Sequence, residues 1–298
     1  GKDGSIFNIG VEAGATIGAR HVILKISPDP RDEDIFKRAE IITRVPGSKE
    51  PMFLSSCTSF GITDNFIIVI ESPAFLNLGK YVSYLLTGSH YCLLDLADWF
   101  PDFRNQFHII DRHTGKVLRS KIVSDAGFVY IHYINCYETN DGYIVIDLVT
   151  APGMEPIHNT TVSNLRNDLP VARTNEEVPE EIILRPETIS ERGVTGVCPN
   201  HEYVTRKYRY CYGTGNITRG PYANSLIKFD VEEKEHRIWK EKNCVINEAT
   251  FVPNPEGHEE DDGVLICGVC ATRKGSPHFL LFLNAQDMTE ITRVHHVH

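Results

Sequence analysis

The sequence contains no run of about 18 apolar residues, the length a membrane-spanning helix needs, and its first residues lack the charged-then-apolar layout of a secretion leader. A soluble, cytoplasmic protein is expected. Cysteine is sparse, with 8 scattered over 298 residues, so a disulfide framework is not expected and a reducing compartment suits the chain. Positive charge is also short: 30 Lys+Arg stand against 40 Asp+Glu, a formal net charge of −10. That excludes a broad phosphate-binding surface and, with it, nucleic acid as the expected partner. The longest basic stretch, Arg206, Lys207 and Arg209, alternates with Tyr203, Tyr208, Tyr210 and Tyr212, which predicts a half-buried strand. No Gly-rich phosphate loop, Gly-x-Ser-x-Gly elbow or His-Glu-x-x-His helix occurs. The sequons at Asn159 and Asn216 read as chance matches in a chain without a secretion signal.

What the chain does contain is a succession of short apolar or alternating runs divided by turn residues. Val22–Ser27, Phe66–Glu71, Phe107–Asp111, Tyr143–Val149, Ser225–Asp230, Gly263–Val269 and Phe279–Asn284 read as strands. Hairpin turns are expected at Asp111–Lys116, Asn140-Asp141-Gly142 and Asp230–Glu235. Many short antiparallel hairpins without a Cys-Trp-Cys core favour an all-β propeller over a sandwich. Ser5–Gly10 reads as a strand entered without a cap, so the chain is expected to start inside a domain.

Two stretches break this pattern. Pro73–Leu86 puts Phe75, Leu78, Tyr81, Val82, Leu85 and Leu86 at helical spacing. It reads either as an interfacial amphipathic segment or as a helix or loop packed on the body. Asn164–Arg192 is polar and holds Pro170, Pro179 and Pro186, which predicts a long exposed connection.

Of the 13 histidines, His113 and His236 fall in hairpin turns, His258 in an acidic loop, and His295, His296 and His298 at the C-terminus. His132 is different, because it sits inside the apolar and aromatic run Phe128–Glu138, where an imidazole needs a hydrogen-bond partner or a metal. Glu248 enters the apolar run Ile246–Val252 and reads either as a surface residue or as a carboxylate orienting a metal-bound histidine. Cys267 and Cys270 have the spacing of a redox pair, but on a strand residues three apart face opposite ways, so the two thiols are not expected to converge.

Three ordered blocks resemble the carotenoid cleavage oxygenase family, the group of carotene-cleaving enzymes and the animal retinoid isomerase. They are Ser59–Pro73, His132–Glu138 with Gly142–Leu148, and Glu248–Pro255 with Glu259–Val264 and Leu281–Ala285. Tyr210–Gly213 and Asp3–Gly10 fit the same family. The resemblance implies a seven-bladed propeller, incomplete in this chain, treated as one domain over residues 1–298. It also implies Fe(II) held on the axis by four histidines, three of them backed by glutamate, and oxidative cleavage of a carotenoid or apocarotenoid double bond by dioxygen. His132 matches an iron ligand and Glu248 a supporting glutamate.

The sequence departs from the family pattern at two places. The ligand histidine expected before Ser-Phe-Gly is Thr58, or Ser55 in the other register, and a second supporting glutamate is replaced by Val197. The remaining ligands are expected before Gly1 and after His298, so the chain alone is expected to be inactive. The resemblance also implies peripheral membrane contact and substrate entry through Phe75, Leu76, Leu78, Tyr81 and Val82. An alternative expectation is a catalytically silent carotenoid or retinoid binder that lacks a full iron site.

Overall fold

A computed structural model of the protein describes residues 4–14, 18–28, 35–45, 53–55, 57, 59–88, 93–154, 195–215 and 222–295. Thr58, Cys92, both sequons and the Asn164–Arg192 stretch lie outside them. The chain divides into two compact units, Gly1–Val129 with Pro152–Met154, and Tyr130–Ala151 with Glu155–His298.

In the first unit, β1 (Ile6–Gly14), β2 (Gly18–Ile26) and β3 (Ala39–Arg44) form an antiparallel sheet. A small sheet joins β4 (Phe53–Ser55), β7 (Ala74–Asn77) and β8 (Ala97–Trp99) in the order β4-β7-β8. A four-stranded sheet has the order β10-β9-β6-β5, from β5 (Gly61–Ile62), β6 (Phe66–Glu71), β9 (Gln106–Asp111) and β10 (Val117–Val123). Strand β6 reads Phe-Ile-Ile-Val-Ile-Glu and is buried on both faces, as suits a strand paired on each side. Its Ile67 and Val69 pack with Ile23, Val45 and Ile110 as the core of this unit.

The second unit opens with β11 (Val129–Glu138) and β12 (Ile144–Ala151), divided by the expected Asn140-Asp141-Gly142 turn. Two four-stranded meanders follow in chain order: β13 (Thr195–Pro199) to β14 (Tyr210–Gly215), β15 (Ser225–Asp230) and β16 (Glu235–Lys240), then β17 (Cys244–Pro253) to β18 (Gly263–Ala271), β19 (Phe279–Asn284) and β20 (Glu290–His295). Such four-stranded antiparallel units are the form of a propeller blade. Ile131, Ile134 and Tyr137 of β11 pack on Val149, Val197, Tyr208, Cys211, Ile227 and Phe229.

The all-β expectation holds, and β6, β15 and β19 fall on the predicted residues. The expected Tyr203–Tyr212 strand does not form over its first half. His201–Tyr203 is a 3₁₀ turn, Thr205 is left-handed at φ 71°, and the strand begins only at Tyr210. Side chains take the backbone groups that a ladder would need. Asn135 binds Tyr203 O, Arg206 O and Thr205 N, and the Glu260 carboxylate accepts from Arg209 N and Tyr210 N. The Pro73–Leu86 stretch divides into β7 and one helix, α1 (Leu78–Thr87), capped by Asn77, whose Oδ1 accepts from Lys80 N.

Candidate functional site

The first strands of the two meanders share a local device. In β13, Thr195 pairs with Thr214 and Cys198 with Tyr212, so Gly196 and Val197 together oppose Gly213. In β17, Ile246 pairs with Val269 and Ala249 with Cys267, so Asn247 and Glu248 together oppose Gly268. Each is a two-against-one bulge, a distortion that re-aims side chains. Val197 and Glu248 occupy the same second place in the two bulges. Val197 turns into the apolar core at 1% exposure, whereas Glu248 is exposed.

The Glu248 side chain lies across Gly196, whose φ of +58° is the left-handed conformation that favours glycine. Next to it on β13, the Cys198 thiol is raised above its usual range by burial and then by the Glu248 charge. His132 is half-buried on β11 and makes no hydrogen bond or ion pair to Glu248 or to any other described residue.

In the alternative ligand register, Ser55 is buried with its hydroxyl donated to Ser72 O, 3.0 Å away, and its carbonyl 2.8 Å from His21 Nε2. This oxygen serves packing of β4 and is not presented as a metal donor. Thr58 lies outside the described residues. Burial lowers the basicity of His21, while the Ser55 carbonyl and the Glu71 charge act against that shift. His21, Glu71 and His108 were not singled out by the sequence reading. Their signal was faint: Glu71 is the one charged residue ending β6, while His21 shares β2 with Arg20 and Lys25, and His108 shares β9 with Gln106 and Asp111.

Asn135 belongs to the same block as His132, and its role is legible only in three dimensions. Its amide fastens β11 to the turn before β14 through Tyr203 O, Arg206 O and Thr205 N. Tyr137 meets Tyr208 edge-on at 6.4 Å, and the Tyr208 hydroxyl donates to Asp147 Oδ2 at 3.0 Å. The block therefore anchors a strand as well as carrying an imidazole.

An apolar surface lies on the first unit. Helix α1 buries none of its residues and exposes Tyr81, Val82, Leu85 and Leu86, the last at 81%. At its base, Phe75 packs edge-on with Phe100 and Phe103, and Lys80 pairs with Asp98 at 2.5 Å. Among the described residues no helix is long and apolar enough to cross a membrane.

A neutral imidazole suits Fe(II), and His132, whose ring no described residue binds, fits one ligand position. Glu248, cradled where any Cβ on residue 196 would lie, fits a fixed carboxylate. Among the described residues no three His, Cys, Asp or Glu side chains group around one point.

The family model described as retinal pigment epithelial membrane protein matches residues 1–298. The chicken (Gallus gallus) beta,beta-carotene 15,15'-dioxygenase is 29% identical over 332 residues, covering 97% of this chain and 61% of that protein. The mitochondrial carotenoid-cleaving dioxygenase of the ferret (Mustela putorius furo) is 28% identical, covering 98% and 61%. Among solved structures, the cobalt-substituted Synechocystis apocarotenoid oxygenase superposes with a TM-score of 0.70 at 20% identity, over 98% of this chain and 58% of that one. That likeness shows the fold, and the chain spans about three fifths of the length of the relatives it matches. With its whole length matched and its blocks in family order, the chain belongs to the retinal pigment epithelial membrane protein family, the carotenoid cleavage oxygenases.

Proposed function

We propose that this chain is the larger part of an Fe(II) oxygenase that cleaves a polyene double bond of a carotenoid or apocarotenoid. In the reaction one C=C bond and the O–O bond break and two C=O bonds form, so both oxygen atoms of dioxygen end in the carbonyl products. The observation that carries the reading is that relatives named as carotenoid-cleaving dioxygenases align over 97–98% of the chain. Bound iron would supply the activation of dioxygen. His132 would be one of its ligands, with Glu248 as the carboxylate that fixes an iron-bound imidazole. The other ligands fall to residues outside the described set. The exposed face of α1 would dip into a membrane surface to admit lipophilic substrate near Phe75 and Leu76.

The test is anaerobic Fe(II) titration of the full-length protein that contains this chain, as wild type and as His132→Ala, followed by exposure to β-carotene and air with chromatography of the aldehydes. Wild type is expected to bind iron and form aldehyde, and His132→Ala to lose at least 100-fold in rate. Cleavage unaffected by that substitution would overturn the reading. The alternative reading is a carotenoid binder without iron, motivated by the absence of an imidazole at Thr58 or, in the other register, at Ser55. That reading predicts thermal stabilisation by carotenoid in the presence of chelator and no aldehyde.

A further inference from the structure

Glu248 stands at a bulge on the protein surface, where a glutamate with three rotatable bonds would ordinarily sample many positions. It is instead laid across the backbone of Gly196. A Cβ built on residue 196 would lie 2.2 Å from Glu248 Cγ, 2.5 Å from Cδ and 2.7 Å from Oε1, and these are the three nearest atoms. The space that a side chain at position 196 would fill is therefore occupied by Glu248. The left-handed φ of Gly196 and the bulge at Gly196–Val197 produce that opening together.

We propose that Gly196 is the positioning residue for the Glu248 carboxylate, holding it beside β13 by offering it the volume of a missing side chain. The placement stands on geometry alone, and its bearing on oxygenation rests on the reading of Glu248 given above. A methyl group at position 196 displaces the flexible glutamate before it disturbs the backbone. Gly196→Ala thus moves a charge rather than dissolving a sheet.

Cys198 reports that charge without any metal, because Glu248 is among the groups that raise its thiol. The experiment follows Cys198 alkylation by iodoacetamide against pH, resolved by mass spectrometry, in wild type, Gly196→Ala, Glu248→Gln and the double variant. Both single variants are expected to shift the profile to lower pH, with a several-fold faster reaction near neutrality, and the double variant no further than the larger single shift. A profile unmoved by Gly196→Ala, or unmoved by Glu248→Gln, or shifted additively in the double variant, overturns the proposal.

Gly88→Ala serves as the strain control, since Gly88 has a comparable φ of +63° with no atom within 4 Å of its would-be Cβ. In a Glu248→Ala background, Gly196→Ala is expected to lower the folding equilibrium constant by the same factor as Gly88→Ala. A tenfold larger loss would mean that something other than Glu248 fills the space, which also overturns the proposal. Fe(II) titration of the same variants separates the two readings. A coupled alkylation profile with iron affinity unchanged by Gly196→Ala keeps the placement and removes Glu248 from the iron site.

Discussion

His108 Nε2 lies 3.1 Å from Glu71 Oε2, with both side chains buried on the neighbouring strands β9 and β6. Glu71 pairs directly with Gln106, two residues before His108, so the contact is the diagonal one available on a single sheet face. Removing one member of a buried polar contact leaves the other unsatisfied, at a cost of about 1–3 kcal/mol, whereas replacing both with apolar residues of similar volume is often near neutral. His108→Leu and Glu71→Leu are each expected to lose about that much in urea unfolding, and the double variant to recover most of it. Additive losses in the cycle would show that the pair does not act as a unit.

Asp147 carries a stability signature that depends on pH. Burial raises its carboxyl above the usual range, and the hydrogen bond from Tyr208 opposes the shift. The native state therefore holds a proton that the unfolded chain releases, so the contribution to stability falls as pH rises from the ordinary aspartate value through the raised one. Asp147→Asn keeps an acceptor for Tyr208 and removes the charge. Its unfolding midpoint is expected to exceed that of wild type at pH 7, with the gap closing as the pH approaches 4. A gap that widens on acidification would reverse the assigned direction.

Helix α1 gives a prediction for membranes. Transfer of a fully exposed leucine side chain to an apolar phase is worth about 1.5–3 kcal/mol, and Leu85 and Leu86 are the most exposed apolar residues of the helix. Leu85→Ser with Leu86→Ser is expected to weaken co-sedimentation with neutral phosphatidylcholine vesicles by about 10-fold or more. The helix should persist by circular dichroism, because its N-cap at Asn77 and its left-handed C-cap at Gly88 are untouched. Unchanged vesicle binding would remove α1 from the membrane contact.

The strands and turns were legible because they obey short-range rules. The apolar run Phe66–Glu71, the Asn-Asp-Gly turn and the facing of Cys267 against Cys270 all follow from a period of two and from turn chemistry. Cys267 is buried with its thiol pushed up to about 12, while Cys270 is exposed. The Tyr203–Tyr212 alternation was deceptive, since its backbone groups are taken by Asn135 and Glu260 from 50 or more residues away in sequence. The candidate residues His132 and Glu248 were reached one at a time through family motifs. The cradle of Glu248 on Gly196 was not, because a bulge in one strand and a glycine in another are meaningful only once the strands are neighbours.

Asn135 concentrates that long-range dependence in one side chain. Its amide nitrogen donates to Tyr203 O and Arg206 O, each at 3.0 Å, while Oδ1 accepts from Thr205 N at 3.1 Å and Cys136 N at 2.9 Å. All four bonds use its side chain, and the residue is buried. Asn135→Ala strips partners from part-buried backbone groups, each worth about 1–3 kcal/mol if left unsatisfied. Partial hydration of the turn softens the sum, so a net loss of about 2–4 kcal/mol in urea unfolding is expected. Asn135→Asp keeps the acceptor and loses both donors, so its cost should fall between wild type and alanine at acidic pH and grow as the carboxyl ionises against the two facing carbonyls. Because the turn holds Thr205 at φ 71°, its release is also expected to speed amide exchange at Thr205 and Arg206 well before global unfolding. Exchange there that tracks only global unfolding would mean that the turn is held by Glu260 and the strand β14 rather than by Asn135.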